Sequence, residues 1–100
     1  MSLIQASQKS VGGGGGGLVI SGFQVDKKTQ TTNFVWGMLI PLSNQPITDK
    51  AIMVDYNGER LTYNDEWEYD VGSNSVRILF SDPYVTDYDT PPIFQITYPY

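Results

Sequence analysis

The chain has no cysteine and no histidine among its 100 residues. Without cysteine there is no disulfide and no thiolate metal site. Without histidine the chain lacks the side chain that most often serves as a general base and as a nitrogen ligand for metals. Nucleophilic catalysis by a serine or cysteine with a histidine partner is therefore excluded.

Positive charge is also scarce, with six Lys and Arg against 11 Asp and Glu, a net charge of −5. An acidic surface repels phosphates, so we expect neither a nucleic acid nor an anionic membrane as a partner. The start, MSLIQASQKSV, lacks the apolar run of a signal peptide, and the longest apolar stretch, around residues 34–42, is too short to span a bilayer. These features predict a soluble protein that is not secreted by the general route.

Glycine is concentrated in one tract, residues 12–17, at the end of a polar segment. The tract is not interpreted as a phosphate loop, because LVISGFQV after it has a strand pattern and a phosphate loop needs a helix there. It is either a flexible linker or an arm that orders on a neighbouring subunit. We predict an arm, residues 1–17, before one β-domain, residues 18–100, and we assign Ser2–Gly17, including Gly12, to assembly.

The rest of the chain has the alternation of half-buried strands. LVISGFQV and FVWGMLIPL are predicted strands, and DKKTQTTN between them is predicted to be a polar turn. Pro41 cannot donate a backbone hydrogen bond, so the end of the second strand either lies at a sheet edge or leaves the sheet. Asn57-Gly58 predicts a type I′ hairpin. The side chains predicted to face inward are Trp67, Tyr69, Val71, Val76, Ile78, Phe80, Phe94, Ile96 and Tyr98. This pattern predicts an all-β fold, a small antiparallel sandwich of six to seven strands.

The second half, residues 51–100, resembles a structural module of tailed-phage virion proteins. The segments that carry the resemblance are IMVDYNGERL, EWEYDV, SNSVRILFSD and PPIFQITYPY. In these segments the turn of the module is matched by Asn57, Gly58 and Leu61, and its aromatic strand is matched by Tyr69-Asp70-Val71. Its apolar strand is matched by Val76, Ile78 and Phe80, and its closing strand is matched by Ile96, Tyr98 and Tyr100. The resemblance implies a structural part of a tail fibre, baseplate or capsid that carries no chemistry of its own.

Acidic residues form two groups, one in the loop with Asp82, Asp87 and Asp89, and one with Asp65, Glu66, Glu68 and Asp70. Calcium needs several converging oxygens, and the loop lacks the spacing of an EF-hand. The second group lies on the solvent face of an amphipathic strand. A carboxylate pair for glycoside hydrolysis needs a cleft, for which so small a sandwich has little room. We therefore predict no metal, no cofactor and no enzymatic activity.

Aromatic residues offer an alternative, because exposed rings can stack on sugars. Tyr84 and Tyr88 lie in a loop, where binding residues often collect. Trp36 is a third candidate, although a tryptophan in so apolar a run more often belongs to the core. A carbohydrate-binding module or tail fibre that contacts a host glycan through these three residues is the second hypothesis.

The first hypothesis is a non-enzymatic phage virion protein, a capsid decoration or cement protein or a small tail or neck component. Its expected partners are copies of itself or a larger capsid or tail protein, and its expected location is the virion, assembled in the host cytoplasm. Besides the arm, we predict assembly through the last strand as a sheet edge, Phe94–Tyr100, with Phe94, Ile96, Tyr98 and Tyr100. Arg60 and Arg77 could meet acidic neighbours, although such residues more often lie on a solvated strand face.

Overall fold

A computed structural model describes residues 19–100. Seven strands follow one another along this part of the chain: β1 Phe23–Thr29, β2 Leu39–Pro41, β3 Met53–Tyr56, β4 Glu59–Arg60, β5 Trp67–Asp70, β6 Ser75–Ile78 and β7 Ile93–Pro99. Short 3₁₀ turns lie at Asp49–Ala51, Val71–Ser73 and Val85–Asp87. Residues 19–100 contain no helix that is long and apolar enough to cross a membrane. The predicted all-β class is confirmed.

The strands form two antiparallel sheets. The first has the order β1-β7-β3-β4, and the second has the order β2-β6-β5. Their inner faces share one apolar core, to which the first sheet contributes Val54, Phe94, Ile96 and Tyr98, and the second Ile40, Trp67, Val76 and Ile78. The molecule is therefore a small β-sandwich.

The predicted Asn57-Gly58 hairpin is confirmed. Asn57 has a φ of 51° and Gly58 a φ of 85°, and they join β3 to β4. A turn with two positive φ angles matches the right-handed twist of the strands that it connects. The edge position of Pro41 is also confirmed, because β2 is the outer strand of the second sheet.

The region 23–42 differs from the prediction. The strand expected from residue 18 begins at Phe23 and continues through Asp26–Thr29, which were predicted to be a turn. The expected strand 34–42 is interrupted by a turn at Trp36 and Gly37, in which Gly37 has a φ of 97°. Only Leu39–Pro41 pair as a strand, while Phe34 forms an isolated bridge with Asp82.

The last strand is not an edge, so the predicted edge Phe94–Tyr100 is wrong. β7 lies between β1 and β3 and pairs with both along its length. Phe94, Ile96 and Tyr98 are fully buried, as their inward alternation predicted. Val71 is a smaller correction: it is exposed, because β5 ends at Asp70 and Val71 is the first residue of the 3₁₀ turn that follows.

Candidate functional site

Exposed apolar side chains lie on the outer face of the four-stranded sheet. Phe23 is 71% exposed, and Val25 and Met53 are also exposed. The register places Val25 and Met53 on either side of Thr97, and Phe23 opposite Pro99. These five residues form one end of the outer face, which we call the apolar half. Large exposed apolar side chains that share a face are typical of contact surfaces.

The other end of the same face is polar. One row of the register crosses all four strands in the order Lys27, Gln95, Asp55, Arg60. Beside this row lies a depression of about 570 Å³, lined also by Asn57, Gly58, Thr90, Pro91 and Ile93. We call it the polar depression. Its walls are formed by the β3–β4 turn and by the loop before β7. Residues that are far apart in the sequence therefore meet there.

The arginines with predicted acidic neighbours find them within the chain. Arg60 Nε lies 2.7 Å from Asp55 Oδ1, across the β3–β4 pair. Arg77 Nη1 lies 2.8 Å from Glu68 Oε2 on the outer face of the second sheet, and its Nη2 lies 3.9 Å from Asp70. Both pairs are partly exposed, and such surface pairs contribute little to stability.

The three glycan-candidate aromatics are exposed, and their chain segments meet. Trp36 is 61% exposed, Tyr84 62% and Tyr88 41%. The Trp36 backbone N–H donates to Ser81 Oγ, the Tyr84 N–H donates to Asp82 Oδ1, and the Tyr88 hydroxyl donates to Asp82 Oδ2. The core position considered for Trp36 is therefore wrong, since the Gly37 turn leaves its side chain outside. We call these three residues the aromatic end.

Asp82 is the buried carboxylate that organises the aromatic end. The hydroxyls of Tyr56 and Tyr88 donate to its Oδ2 at 2.8 and 2.7 Å, and the Tyr84 N–H to its Oδ1 at 3.0 Å. Burial pushes the pKa of Asp82 upward, but these hydrogen bonds outweigh it and hold the pKa below the usual 3.8. Burial and the bond to Asp82 raise the pKa of Tyr56 far above its usual value.

Asp26 holds a second network at the opposite side of the sandwich. It accepts hydrogen bonds from the Ser43 N–H at 2.9 Å and the Tyr98 hydroxyl at 2.7 Å, and from Gln24 Nε2 at 2.9 Å. Burial raises the pKa of Asp26, but these bonds prevail and leave the pKa below 3.8. Burial, with the bond to Asp26, raises the pKa of Tyr98 to about 12. The network ties β1 of the first sheet to the loop that follows β2.

These networks predict a bell-shaped dependence of stability on pH. The folded pKa of both carboxylates lies below the unfolded value of about 3.9, so their contribution to stability is complete above about pH 5 and is lost as the pH falls through and below the unfolded value. The tyrosine pKa values are raised, so stability is also lost as the pH rises from about 10 toward 12.

Urea unfolding between pH 2.5 and 11 measures both limbs. Replacing Tyr98 with phenylalanine should weaken the alkaline limb, since only a hydroxyl can titrate there, and Tyr63→Phe, at an exposed ring, is the matched control. An alkaline limb that is the same in Y98F and in the wild type contradicts the assignment.

The predicted assembly residues do not form a surface. Phe94, Ile96 and Tyr98 are fully buried, and Tyr100 is half-buried against the core and exchanges backbone hydrogen bonds with Gly22. A buried side chain cannot contact another subunit without unfolding of the sheet. Gly12 and Gly17, with the remaining residues of the predicted arm, lie outside the described residues.

The acidic groups are used within the fold. Asp82 accepts from two tyrosines, and Glu68 and Asp70 face Arg77. Within residues 19–100 no three acidic side chains converge as a metal site would require.

The apolar half and the polar depression were not predicted. The available signal was the alternation in FQVDKKT, which places Phe23 and Val25 on one face of a strand. Their hydrophobicity suggests an inner face, whereas Gln24 and Asp26 occupy it. No protein-family model, curated protein or solved structure matches this chain.

Proposed function

We propose that the protein is a non-enzymatic structural component of a phage virion, and that copies of it contact one another through the apolar half. The observation that carries the proposal is Phe23, an aromatic side chain 71% exposed on the outer face of the four-stranded sheet, which also carries exposed Val25 and Met53. A side chain of this kind gains about 1.5–3 kcal/mol when it is fully buried. Contact with another subunit supplies that burial.

The size of the apolar half favours a repeated contact over an isolated dimer. Burial of these three side chains, which are already partly buried, contributes a few kcal/mol to the free energy of association. Association costs roughly 4–15 kcal/mol in lost rotational and translational entropy. One such contact is therefore weak. In an array each subunit is held by several contacts. Because these contacts are linked, the overall affinity exceeds that of any single contact. A virion provides such an array.

The resemblance of residues 51–100 to virion modules supports the phage assignment. The turn residues that carry it, Asn57 and Gly58, join two strands of the four-stranded sheet. The proposed location in the virion follows from the same resemblance. The role of Ser2–Gly17 as an assembly arm stays a prediction.

Sedimentation velocity of the full chain over a wide concentration range tests the proposal. We expect reversible self-association of the wild type, and a monomer at every concentration for the variant Phe23→Ser with Val25→Ser. The matched control is Val35→Ser with Val71→Ser, two valines that are exposed elsewhere. A wild type that stays monomeric at millimolar concentration, or a control that loses association equally, contradicts the proposal.

Glycan contact through the aromatic end is the second candidate. It is favoured by one observation: Trp36, Tyr84 and Tyr88 are all exposed and are all fastened to the segment Ser81-Asp82. Exposed aromatic rings on loops that a buried carboxylate holds in place are suited to stacking on sugar rings.

A glycan array followed by NMR titration of any hit tests this candidate. Binding should be lost in Trp36→Ala and in Tyr84→Ala. It should persist in Phe23→Ala, which removes an equally exposed aromatic ring from another face. Binding that survives both substitutions at the aromatic end places the glycan elsewhere.

A further inference from the structure

We propose that the polar depression binds a small carboxylate-bearing saccharide, a sugar acid, through Arg60 and Lys27. The inference rests on the geometry of the depression and is independent of the assembly proposal. The depression lies on the outer face of the four-stranded sheet, and none of the three aromatic residues considered for glycan contact lines it.

The charge of the depression selects an anion. Lys27 and Arg60 are positive and Asp55 is negative, which leaves one positive charge on a molecule whose net charge is −5. Lys27 lies on β1 and Arg60 on β4, at the two ends of the row that crosses the sheet. Gln95 and Asp55 occupy the two middle positions of that row, so a ligand that spans the row meets a cation at each end, and its carboxylate lies at the Arg60 or the Lys27 end, beyond Asp55 or Gln95.

Arg60 is oriented for a second carboxylate. Its Nε donates to Asp55, and among residues 19–100 its hydrogen bonds involve only that nitrogen. The terminal pair, Nη1 and Nη2, has the planar geometry that a carboxylate accepts in a bidentate manner. The ion pair with Asp55 fixes the guanidinium and so reduces the entropy that would be lost on binding.

The remaining lining suits a saccharide. Asn57 and Gln95 present side-chain amides, and Thr90 presents a hydroxyl, which together can donate to and accept from sugar hydroxyls. Ile93, which is exposed, and Pro91 give an apolar patch for the face of a ring. The volume of about 570 Å³ lies within the usual range of about 300–1,000 Å³ for small-molecule sites. A bare phosphate would use the cations and leave these groups unused.

The experiment is an NMR titration of the ¹⁵N-labelled full chain with D-glucuronate and N-acetylneuraminate. Glucose and inorganic phosphate serve as the neutral and the sugar-free probes. We expect amide shifts at residues 27, 57–60, 90 and 93–95 with at least one of the two acids. Glucose should bind at least about tenfold more weakly, since the charge-assisted pair is worth at least about 1.4 kcal/mol.

Variants separate charge from geometry. Arg60→Lys keeps the charge but loses the bidentate fork, and should weaken binding about fivefold or more. Arg60→Gln with Asp55→Asn removes the ion pair without leaving a lone carboxylate, and should abolish binding. The control is Lys50→Gln, which removes an exposed lysine outside the depression.

Several results would overturn the inference. These are no shift with either acid, equal binding of glucose, phosphate binding as tight as that of the acids, and full binding by Arg60→Gln with Asp55→Asn. Shifts confined to residues 36 and 81–88 would overturn it as well and would support glycan contact at the aromatic end. None of these results bears on self-association, so failure here and failure of the assembly proposal are distinguishable.

Discussion

Replacement of Phe94 by alanine is expected to lower the free energy of unfolding by about 3–5 kcal/mol. Phe94 is fully buried on β7, the strand at the centre of the four-stranded sheet. Its ring stacks on Tyr56 with centroids 4.4 Å apart and meets the edge of Phe34 at 5.6 Å. The truncation removes both contacts and leaves a cavity between the sheets, which the paired strands on either side prevent from collapsing.

Urea unfolding at neutral pH measures the loss. The matched control is Phe23→Ala, the same change at an exposed site, which we expect to shift stability by less than about 1 kcal/mol. If Phe94→Ala does not fold, Phe94→Leu keeps most of the volume and should cost about 1–2 kcal/mol. Equal effects at positions 94 and 23 would contradict the burial of Phe94.

Replacement of Asp82 by alanine is expected to lower the free energy of unfolding by about 2–4 kcal/mol. Asp82 is buried and accepts from Tyr56, Tyr88 and the Tyr84 backbone. A hydrogen bond to a charged group is worth about 1.5–3 kcal/mol, and a buried donor left without a partner adds a desolvation penalty. Tyr88 is exposed and can turn to water, so most of the loss comes from Tyr56, which is half-buried.

The control for Asp82 lies in the same loop. Asp87→Ala removes an exposed carboxylate and should change stability by less than about 0.5 kcal/mol. Tyr56→Phe in the Asp82→Ala background should cost less than in the wild type, because the hydroxyl has already lost its acceptor. Equal costs of Tyr56→Phe in both backgrounds would show that the two side chains do not act together.

The fold class could be predicted because its signals are local. Asn57-Gly58 specifies its own backbone geometry, and the alternations ending at Ile78 and Tyr98 each need only a few residues to be recognised. Strand order is not local. The central position of β7 depends on β1 and β3, which lie far away in the chain, so no feature of residues 93–99 distinguishes it from an edge strand.

The sequence also does not specify which of a strand's two faces points into the core. Alternation in β1 separates Phe23 and Val25 from Gln24 and Asp26 but does not say which set lies inside. Hydrophobicity favours the first set. The structure has the second set inside, because Ser43 and Tyr98 satisfy Asp26 there. The polar depression was likewise hidden, since it joins residues from four strands and two loops.

The pairing of β1 with β7 has a consequence for synthesis of the chain on the ribosome. The first strand of the domain has its partner some seventy positions later, from Phe23 to Pro99. Until β7 emerges, the four-stranded sheet lacks the strand that pairs with both β1 and β3. During that time Phe23 and Val25 lie on an unpaired segment that is prone to aggregate. The four-stranded sheet therefore cannot be completed until β7 has left the ribosome, and during that interval a chaperone can bind the unpaired β1.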